Sequence, residues 1–450
     1  MKRKAIIDIG TNAVRGVVYD NNTLGSLEIA NTQFSHNFHN NNNRNTNLFT
    51  IMQHYKTLQN NLKINEIQLV GTASMRAFDS QSLIQEIKNK FNFHITVLSG
   101  AQEAQYVGKA IQMSINNANG VIADLGGGSL ELSCIENNNI SNIVSINIYN
   151  NNNIIKTIRN SFNFASAQNL ENLYLVGGSF RLLVKQYAYT MNYPHELISH
   201  YLCIPTKQIV NFIQSNIQEK YNKTNNILIE IINNLKTKYI IISNYGLKEG
   251  VHFASFRNKT HQDLILEKTQ NITQAKIDDM EFAKYTEIIR NLIPLHVDKY
   301  LYIFKIALLF AKMNNCVNYI HQNSLLSNWI LKINIPFSLH NRIMLYVIMQ
   351  NIFSHTYEHT QHLKLIDFLP NQKFYVAKIF AIILNITYNI HGCFPKQLNY
   401  NLFLCNKNAF IKCFNILHHE SFNRVIHSTK KLTELIKKLH LKQSMSNYKY

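Results

Sequence analysis

Over the first 250 positions, short apolar runs rich in β-branched residues alternate with helically spaced stretches and glycine-bounded turns, as in an α/β chain. Lys4 to Tyr19 holds two such runs joined at Gly10-Thr11-Asn12, a hairpin signal. Leu48 to Leu62 has helical spacing, and Glu66 to Gly71 predicts a buried strand delivering Thr72 to Arg76. Ser82 to Phe91 reads as an amphipathic helix with Ser82 as its N-cap. His94 to Leu98 is a strand ending at Ser99-Gly100, and Gln102 to Ser114 is a helix that puts Glu103 in its first turn, near the positive end of the dipole. Val121 to Leu125 runs into three glycines, and Ser141 to Ile148 follows. Leu173 to Val176 leads into Gly177-Gly178-Ser179, and Tyr239 to Ser243 into the turn YGLKEG at 245–250. Asn37 to Asn47 and Asn150 to Asn153 are polar runs with no means of building a core. From about Thr260 the glycines nearly vanish, leaving Gly392. Stretches of period 3.6 at Ile303–Met313, Ser324–Ile333, Arg342–Phe353 and Lys378–Leu384 predict an all-helical C-terminal region.

The stretch GVIADLGGGSLELS at 120–133 is a strand running into a phosphate cradle. Gly126, Gly127 and Gly128 carry no Cβ to block an anion, so successive amides can turn toward phosphate oxygens, and Asp124 at the strand end can hold a hydrated cation against them. A ligand-free tight turn would use the same glycines. A second apolar strand ending in Asp-x-Gly occurs at Asp8 to Asn12, and two cradles on a duplicated fold can close on one phosphate chain. The expected architecture is two α/β lobes with a cleft between them.

Composition narrows this only in part. A chain of 450 residues with 46% hydrophobic residues can fill several cores, and no apolar stretch approaches the roughly 18 uninterrupted residues of a membrane span, Tyr302 to Ala311 being the strongest. The cysteines at 134, 203, 316, 393, 405 and 413 form no CxxC pair or dense framework, which fits a reducing cytoplasm. Residues 300–450 hold 17 Lys and Arg against 4 Asp and Glu, so +13 of the formal +19 lies in the last third. That invites a polyanionic partner, but an Asn-, Ile- and Lys-rich composition inflates lysine regardless of function, so charge alone selects no substrate.

In order and spacing, IIDIGTNAVRGVV, GTASMRA, VLSGAQEAQYVG, ADLGGGSLELS, YLVGGSFRLL with YPHELISHY after it, and YGLKEGV resemble the exopolyphosphatase and guanosine pentaphosphate phosphohydrolase (Ppx/GppA) family of the actin-like ATPase superfamily. The resemblance covers residues 4 to about 255, and the pair SGxxEA with DLGGGSxE is its specific part. It implies two actin-like (ribonuclease H-like) lobes, at 1–117 and 118–258, and a helical C-terminal domain at 259–450 of degenerate HD-like character. It also implies Glu103 as the catalytic acid that orients or deprotonates the attacking water. Asp8, Asp124 and Glu131 would surround Mg²⁺ or Mn²⁺. Gly10, Thr11, Asn12, Arg76, Gly126, Gly127, Gly128, Ser129 and Lys248 would bind phosphate, with Arg15 and Arg181 as weaker candidates. The implied activity is release of terminal orthophosphate from inorganic polyphosphate. Alternatives are 5′-phosphate removal from guanosine pentaphosphate, and non-catalytic binding of polyphosphate or guanosine tetraphosphate. Neither a membrane nor specific nucleic acid is expected as a partner.

Four departures from the family pattern stand out: Gln102 where an acid precedes the catalytic glutamate, Gln105 in place of Arg, Lys248 in place of Arg, and the Asn run 150–153 in place of a glycine-containing turn. Lys248 exchanges a planar two-pronged donor for a point charge. Two further motifs lie in the C-terminal region. His355-x-x-Glu358-His359 fits a zinc-peptidase pattern without an assignable third ligand. Lys430 to Lys442 is a basic amphipathic helix, read either as a solvated face or as a grip on distal polyanion. No adjacent His-Asp pair exists, so HD-type metal chemistry is not expected, and clamping a polyanion or dimerising are the roles left to this region.

Overall fold

The computed structural model describes residues 2–446 apart from 36–43, 78–79, 149–152, 168, 194–200, 216–221, 294–296, 314–321, 353–362, 396–397, 399, 406–407 and 414–418. The chain divides into two compact units, Met1–Lys268 and Thr269–Tyr450. The HxxEH motif, most of the Asn run at 150–153 and most of the YPHELISHY segment fall outside the described residues.

Among its described residues the first unit holds two sheets. Strands β1 (Arg3–Ile9), β2 (Ala13–Tyr19), β3 (Glu28–Ser35), β4 (Ile64–Gly71) and β5 (Ile95–Val97) form the first, in the order β3-β2-β1-β4-β5. Strands β6 (Gly120–Leu125), β7 (Ser129–Glu136), β8 (Asn139–Asn147), β9 (Asn172–Val176), β10 (Cys203–Pro205) and β11 (Tyr239–Ile242) form the second, in the order β10-β11-β9-β6-β7-β8. In each, an antiparallel meander of three strands is followed by a parallel partner beside the first strand: β4 beside β1, and β9 beside β6. The second sheet therefore repeats the first with one added edge strand. This duplicated topology fits the two α/β lobes that the motifs imply.

The helices of this unit are α1 (Arg44–Asn61), α2 (Ala73–Ala77), α3 (Gln81–Phe91), α4 (Gly100–Ser114), α5 (Ile154–Ser161), α6 (Gly178–Thr190), α7 (Thr206–Ser215), α8 (Asn222–Asn234) and α9 (Leu247–Phe253), with α10 (His261–Thr273) crossing the unit boundary. Helix α1 begins at Arg44, inside the polar Asn stretch and a turn before its apolar stripe of Leu48, Ile51, Met52 and Tyr55. Ser82 is not a cap. The N-cap position of α3 is Ser80, whose hydroxyl donates instead to the Met75 carbonyl (2.8 Å).

Strand alternation decides which residues share the inner face of each sheet. In β1, Ile7 and Ile9 pack outward against α1 and α3, which leaves Ile6 on the other face and Asp8 in step with it. In β6, Val121, Ala123 and Leu125 face the second lobe's own core, while Ile122 faces the first sheet, with Asp124 in step. By the same parity Arg15 goes with Val17 and Tyr19, and Glu131 with Ile135. Ser145 sits one place out of step with Ile146, which belongs to the outer core. Between the two inner faces lie α4 and α9, contributing Val107, Ile111, Leu247 and Val251 to one apolar cluster that includes Ile6, Val17, Val70, Ile122, Tyr174 and Ile241. Glu103, Val107 and Ile111 are four residues apart, one stripe of α4, so the glutamate is carried on the helix face that enters this shared core.

The second unit contains α11 (Asp279–Leu292), α12 (Asp298–Lys312), α13 (Gln322–Lys332), α14 (Leu339–Ile352), α15 (Leu363–Ile366), α16 (Asn371–His391) and α17 (His419–Ser446). Among the described residues it is helical except for one hairpin, β12 (Tyr400–Cys405) with β13 (Asn408–Cys413), whose short apolar strands show no helical period to reveal them. The buried Arg342 guanidinium donates to the carbonyls of Ile330, Leu331, Ile333 and Ile335 at 2.6 to 3.3 Å, satisfying the C-terminal end of α13 and tying it to α14. Among the described residues α16 alone is long and apolar enough to cross a membrane, with mean hydropathy 1.2 over its window, but 61% of that window is buried within the protein. In α17, Leu432, Ile436 and Leu439 are buried while Lys430, Lys437 and Lys438 are exposed, so the basic face is solvated.

Truncating a fully buried side chain in the shared layer removes packing that both sheets use. Ile111→Ala is expected to lower stability by about 3 kcal/mol, read as a fall in urea midpoint at unchanged m-value.

Candidate active site

Both loops close by the same backbone bond: Gly10 N–H donates to the Ala13 carbonyl and Gly126 N–H to the Ser129 carbonyl, each at 3.0 Å. The loops then meet. A Cβ on Gly127 would lie 2.6 Å from Asn12 Nδ2, and one on Gly128 would lie 2.7 Å from Thr11 Oγ1 and 3.1 Å from the Ala73 Cβ. A side chain at either glycine would have to displace the Asn12 or Thr11 side chain, and the close approach brings Thr11, Asn12, Gly127 and Gly128 together in one place.

The internal duplication carries over to the charges. Asp8 pairs in register with Arg15, seven residues on, and Asp124 with Glu131, also seven residues on. Equivalent positions thus bear a cation in the first lobe and an anion in the second. Asp8 and Asp124 lie at the floor of the loops, half-buried by exposed area yet surrounded by protein. Desolvation and the nearby Glu103 charge push each carboxyl up to about 7. Arg15 and Lys248 pull Asp8 the other way, and Arg181 and Arg15 do so for Asp124. Asp8 Oδ1 is buried without a hydrogen-bond partner.

Glu103 reaches this group from α4. Ser99 is the N-cap: its hydroxyl accepts from Gln102 N–H (3.2 Å), and Gln102 Oε1 accepts from Ser99 N–H (2.8 Å). This capping box starts the helix at Gly100, two residues earlier than its spacing suggests, and gives Gln102 a structural use that an acid would also serve. The Glu103 side chain is almost fully buried, and burial raises its pKa against the opposing effect of Arg76. Arg76, at the end of the short helix α2, donates through one terminal nitrogen to Glu103 Oε2 (2.8 Å) and to the Leu98 carbonyl (2.8 Å). Its other terminal nitrogen stands 3.7 Å from Glu131 Oε1. Glu131 also accepts from Ser145 (2.8 Å) and from Ser129, and burial with the Glu103 and Asp124 charges raises its pKa strongly.

Lys248, at the start of α9, places Nζ 3.5 Å from Asn31 Oδ1. Arg181 in α6 donates to the Ser243 carbonyl (3.3 Å), and burial lowers its pKa. Every sequence-derived candidate thus lies on the loops or on the elements around them. What sequence reading passed over is Ser145, which no motif marks and which only the β7–β8 register sets opposite Glu131.

Among the described residues no three His, Cys, Asp or Glu side chains are grouped closely enough to hold a metal ion unaided. An all-oxygen set of two half-buried carboxylates, one with an orphaned oxygen, nevertheless fits a hard divalent cation of the Mg²⁺ type, which keeps waters and takes its remaining ligands from phosphate. Asp8 and Asp124 are the residues suited to it, while Glu131 is already held by Ser145 and faces Arg76.

Residues 25–149 match the model of the Ppx/GppA phosphatase family, the family that the motifs resemble. None of the curated proteins matches the sequence. Among solved structures the chain is similar to an exopolyphosphatase from Cytophaga hutchinsonii, with 16% identity, coverage of 56% of this chain and 97% of that one, and a TM-score of 0.49. It is also similar to the Aquifex aeolicus Ppx/GppA phosphatase, with 17% identity, coverage of 57% and 100%, and a TM-score of 0.47.

A carboxyl raised from 3.8 to about 7 on folding favours the folded state while the native protein still holds its proton. That contribution is full below the unfolded value and is lost as pH rises through about 7. The metal-free protein is therefore expected to melt at a lower temperature at pH 8 than at pH 5. Asp8→Asn should flatten the slope, and so should added Mg²⁺; an equally steep profile in Asp8→Asn would count against the burial assigned to this carboxyl.

Proposed function

We propose that the chain hydrolyses the terminal phosphoanhydride of a polyanionic phosphate substrate, inorganic polyphosphate first and guanosine pentaphosphate as the alternative. The observation that carries this reading is the meeting of two Asp-x-Gly loops at Gly127 and Gly128, with the unpartnered Asp8 oxygen beneath them and a buried glutamate alongside. Phosphoryl transfer asks mainly for positioning and charge neutralisation, which is the kind of equipment gathered here.

The loop residues Gly10, Thr11, Asn12 and Gly126 to Ser129 would hold the terminal phosphoryl group. Asp8 and Asp124 would hold Mg²⁺ or Mn²⁺, which when bound would offset the charge of the phosphate oxygens. Glu103 would orient the attacking water and accept its proton. A carboxylate whose pKa is raised by burial is better matched to that task near neutral pH than an exposed one. Arg76 keeps Glu103 from being an isolated buried charge and offers its guanidinium to phosphate oxygen. Arg15, Arg181 and Lys248 supply further positive charge around the two aspartates. A hydrolytic site with Lys248 as a point charge grips less directionally than one with arginine, and together with the Arg76–Glu103 ion pair this keeps a non-catalytic binder as the second reading.

One assay separates these readings: phosphate release with Mg²⁺ from long polyphosphate, guanosine pentaphosphate and ATP. Release from polyphosphate above the other two is expected, and tight binding without release from any of them favours the binder. Glu103→Gln should lower release by about 10² to 10⁴-fold with the circular dichroism spectrum and melting profile retained; wild-type turnover in that variant would sink the assignment of the base.

A further inference from the structure

Glu103 is aimed by contacts that begin outside its own helix. Ser145 on β8 lies directly opposite Glu131 on β7, and its hydroxyl donates to Glu131 Oε1 at 2.8 Å. The same oxygen is the one 3.7 Å from Arg76, whose other terminal nitrogen holds Glu103 at 2.8 Å. A hydroxyl bond thus keeps the second carboxylate at arm's length from the guanidinium that the first one uses. Ser145 also abuts the helix that carries Glu103. A Cβ added at Gly100, the first residue of α4, would lie 2.1 Å from the Ser145 Cβ and 2.2 Å from its Oγ. The serine therefore touches both the side chain behind Arg76 and the backbone that starts the helix.

We propose that Ser145 is a positioning residue for Glu103: its hydroxyl ties Glu131 back so that Arg76 stays on Glu103, while its Cβ seats against Gly100 and sets where α4 begins. Without the hydroxyl, Glu131 keeps only its bond from Ser129 and can turn to close the 3.7 Å gap to Arg76, so the guanidinium is divided between two carboxylates. The consequence falls on the orientation of Glu103 and leaves the phosphate loops in place, so it reads out in kcat more than in KM. The inference rests on the hydrolytic reading for its kinetic consequence, and on geometry alone for the placement of Arg76.

The test combines steady-state phosphate release from long polyphosphate with Mg²⁺, for wild type, Ser145→Ala and Ser145→Thr, with a crystal structure of Ser145→Ala. Ser145→Ala is expected to melt like wild type and to lose about tenfold in kcat, with KM changed by less than about twofold. Ser145→Thr, which keeps the hydroxyl, should recover most of that loss. The Ser145→Ala structure should show Glu131 turned onto Arg76 and Arg76 drawn off Glu103. The proposal is overturned by wild-type kcat in Ser145→Ala, by a loss that Ser145→Thr does not recover, or by a Ser145→Ala structure with Arg76 and Glu131 unmoved. If wild type releases no phosphate from any substrate, the hydrolytic reading fails instead, and the Ser145→Ala structure decides the positioning role on its own.

Discussion

The apolar layer made by α4 and α9 between the two sheets is the constraint on which the site depends. Each sheet presents one face to that layer, and strand parity then leaves no choice about which polar residues go with it. Ile6 brings Asp8, Ile122 brings Asp124, Ile135 brings Glu131, and Val17 brings Arg15. On the helix side, Val107 and Ile111 bring Glu103. Hydrophobic burial is non-directional, but when combined with periods of 2 and 3.6 it becomes a device for aiming charged groups at one another.

The aimed charges are under electrostatic tension. Two aspartates and two glutamates share a partly desolvated volume, and arginines and a lysine offset them unequally: Arg76 contacts the glutamates, whereas Arg15, Arg181 and Lys248 act on the aspartates at longer range. The raised carboxyl pKa values and the orphaned Asp8 oxygen are the physical signature of that imbalance. Such an arrangement is costly for a fold with no use for it, and strongly perturbed carboxylates in one place are a feature of functional sites.

Much of the first unit was legible in the chain. The strands before and after Gly10–Asn12, the strand ending at Asp124 and the helix after Ser99 all appear close to where their patterns place them, because short buried strands bounded by glycine have few other options. Misreadings came where a local signal had a competitor. Ser82 looked like a cap, yet Ser80 precedes the helix and uses its hydroxyl elsewhere. The hairpin β12–β13 was invisible because two six-residue apolar strands carry too little period to stand out among helices.

The division follows the range of the interactions. Loops closed by their own glycines and an alternation that sets each carboxylate on a known face are local, so they can be read along the chain, whereas the capping box around Ser99 and Gln102, though local, is not marked by helical spacing. The pairing of Arg76 with Glu103, the seat of Ser145 against Gly100 and the contact of Gly127 with Asn12 join residues 27, 45 and 115 positions apart. No local pattern encodes those distances. They exist because two sheets and the helices between them pack around one apolar layer, and packing is a property of the folded volume, which no segment contains alone.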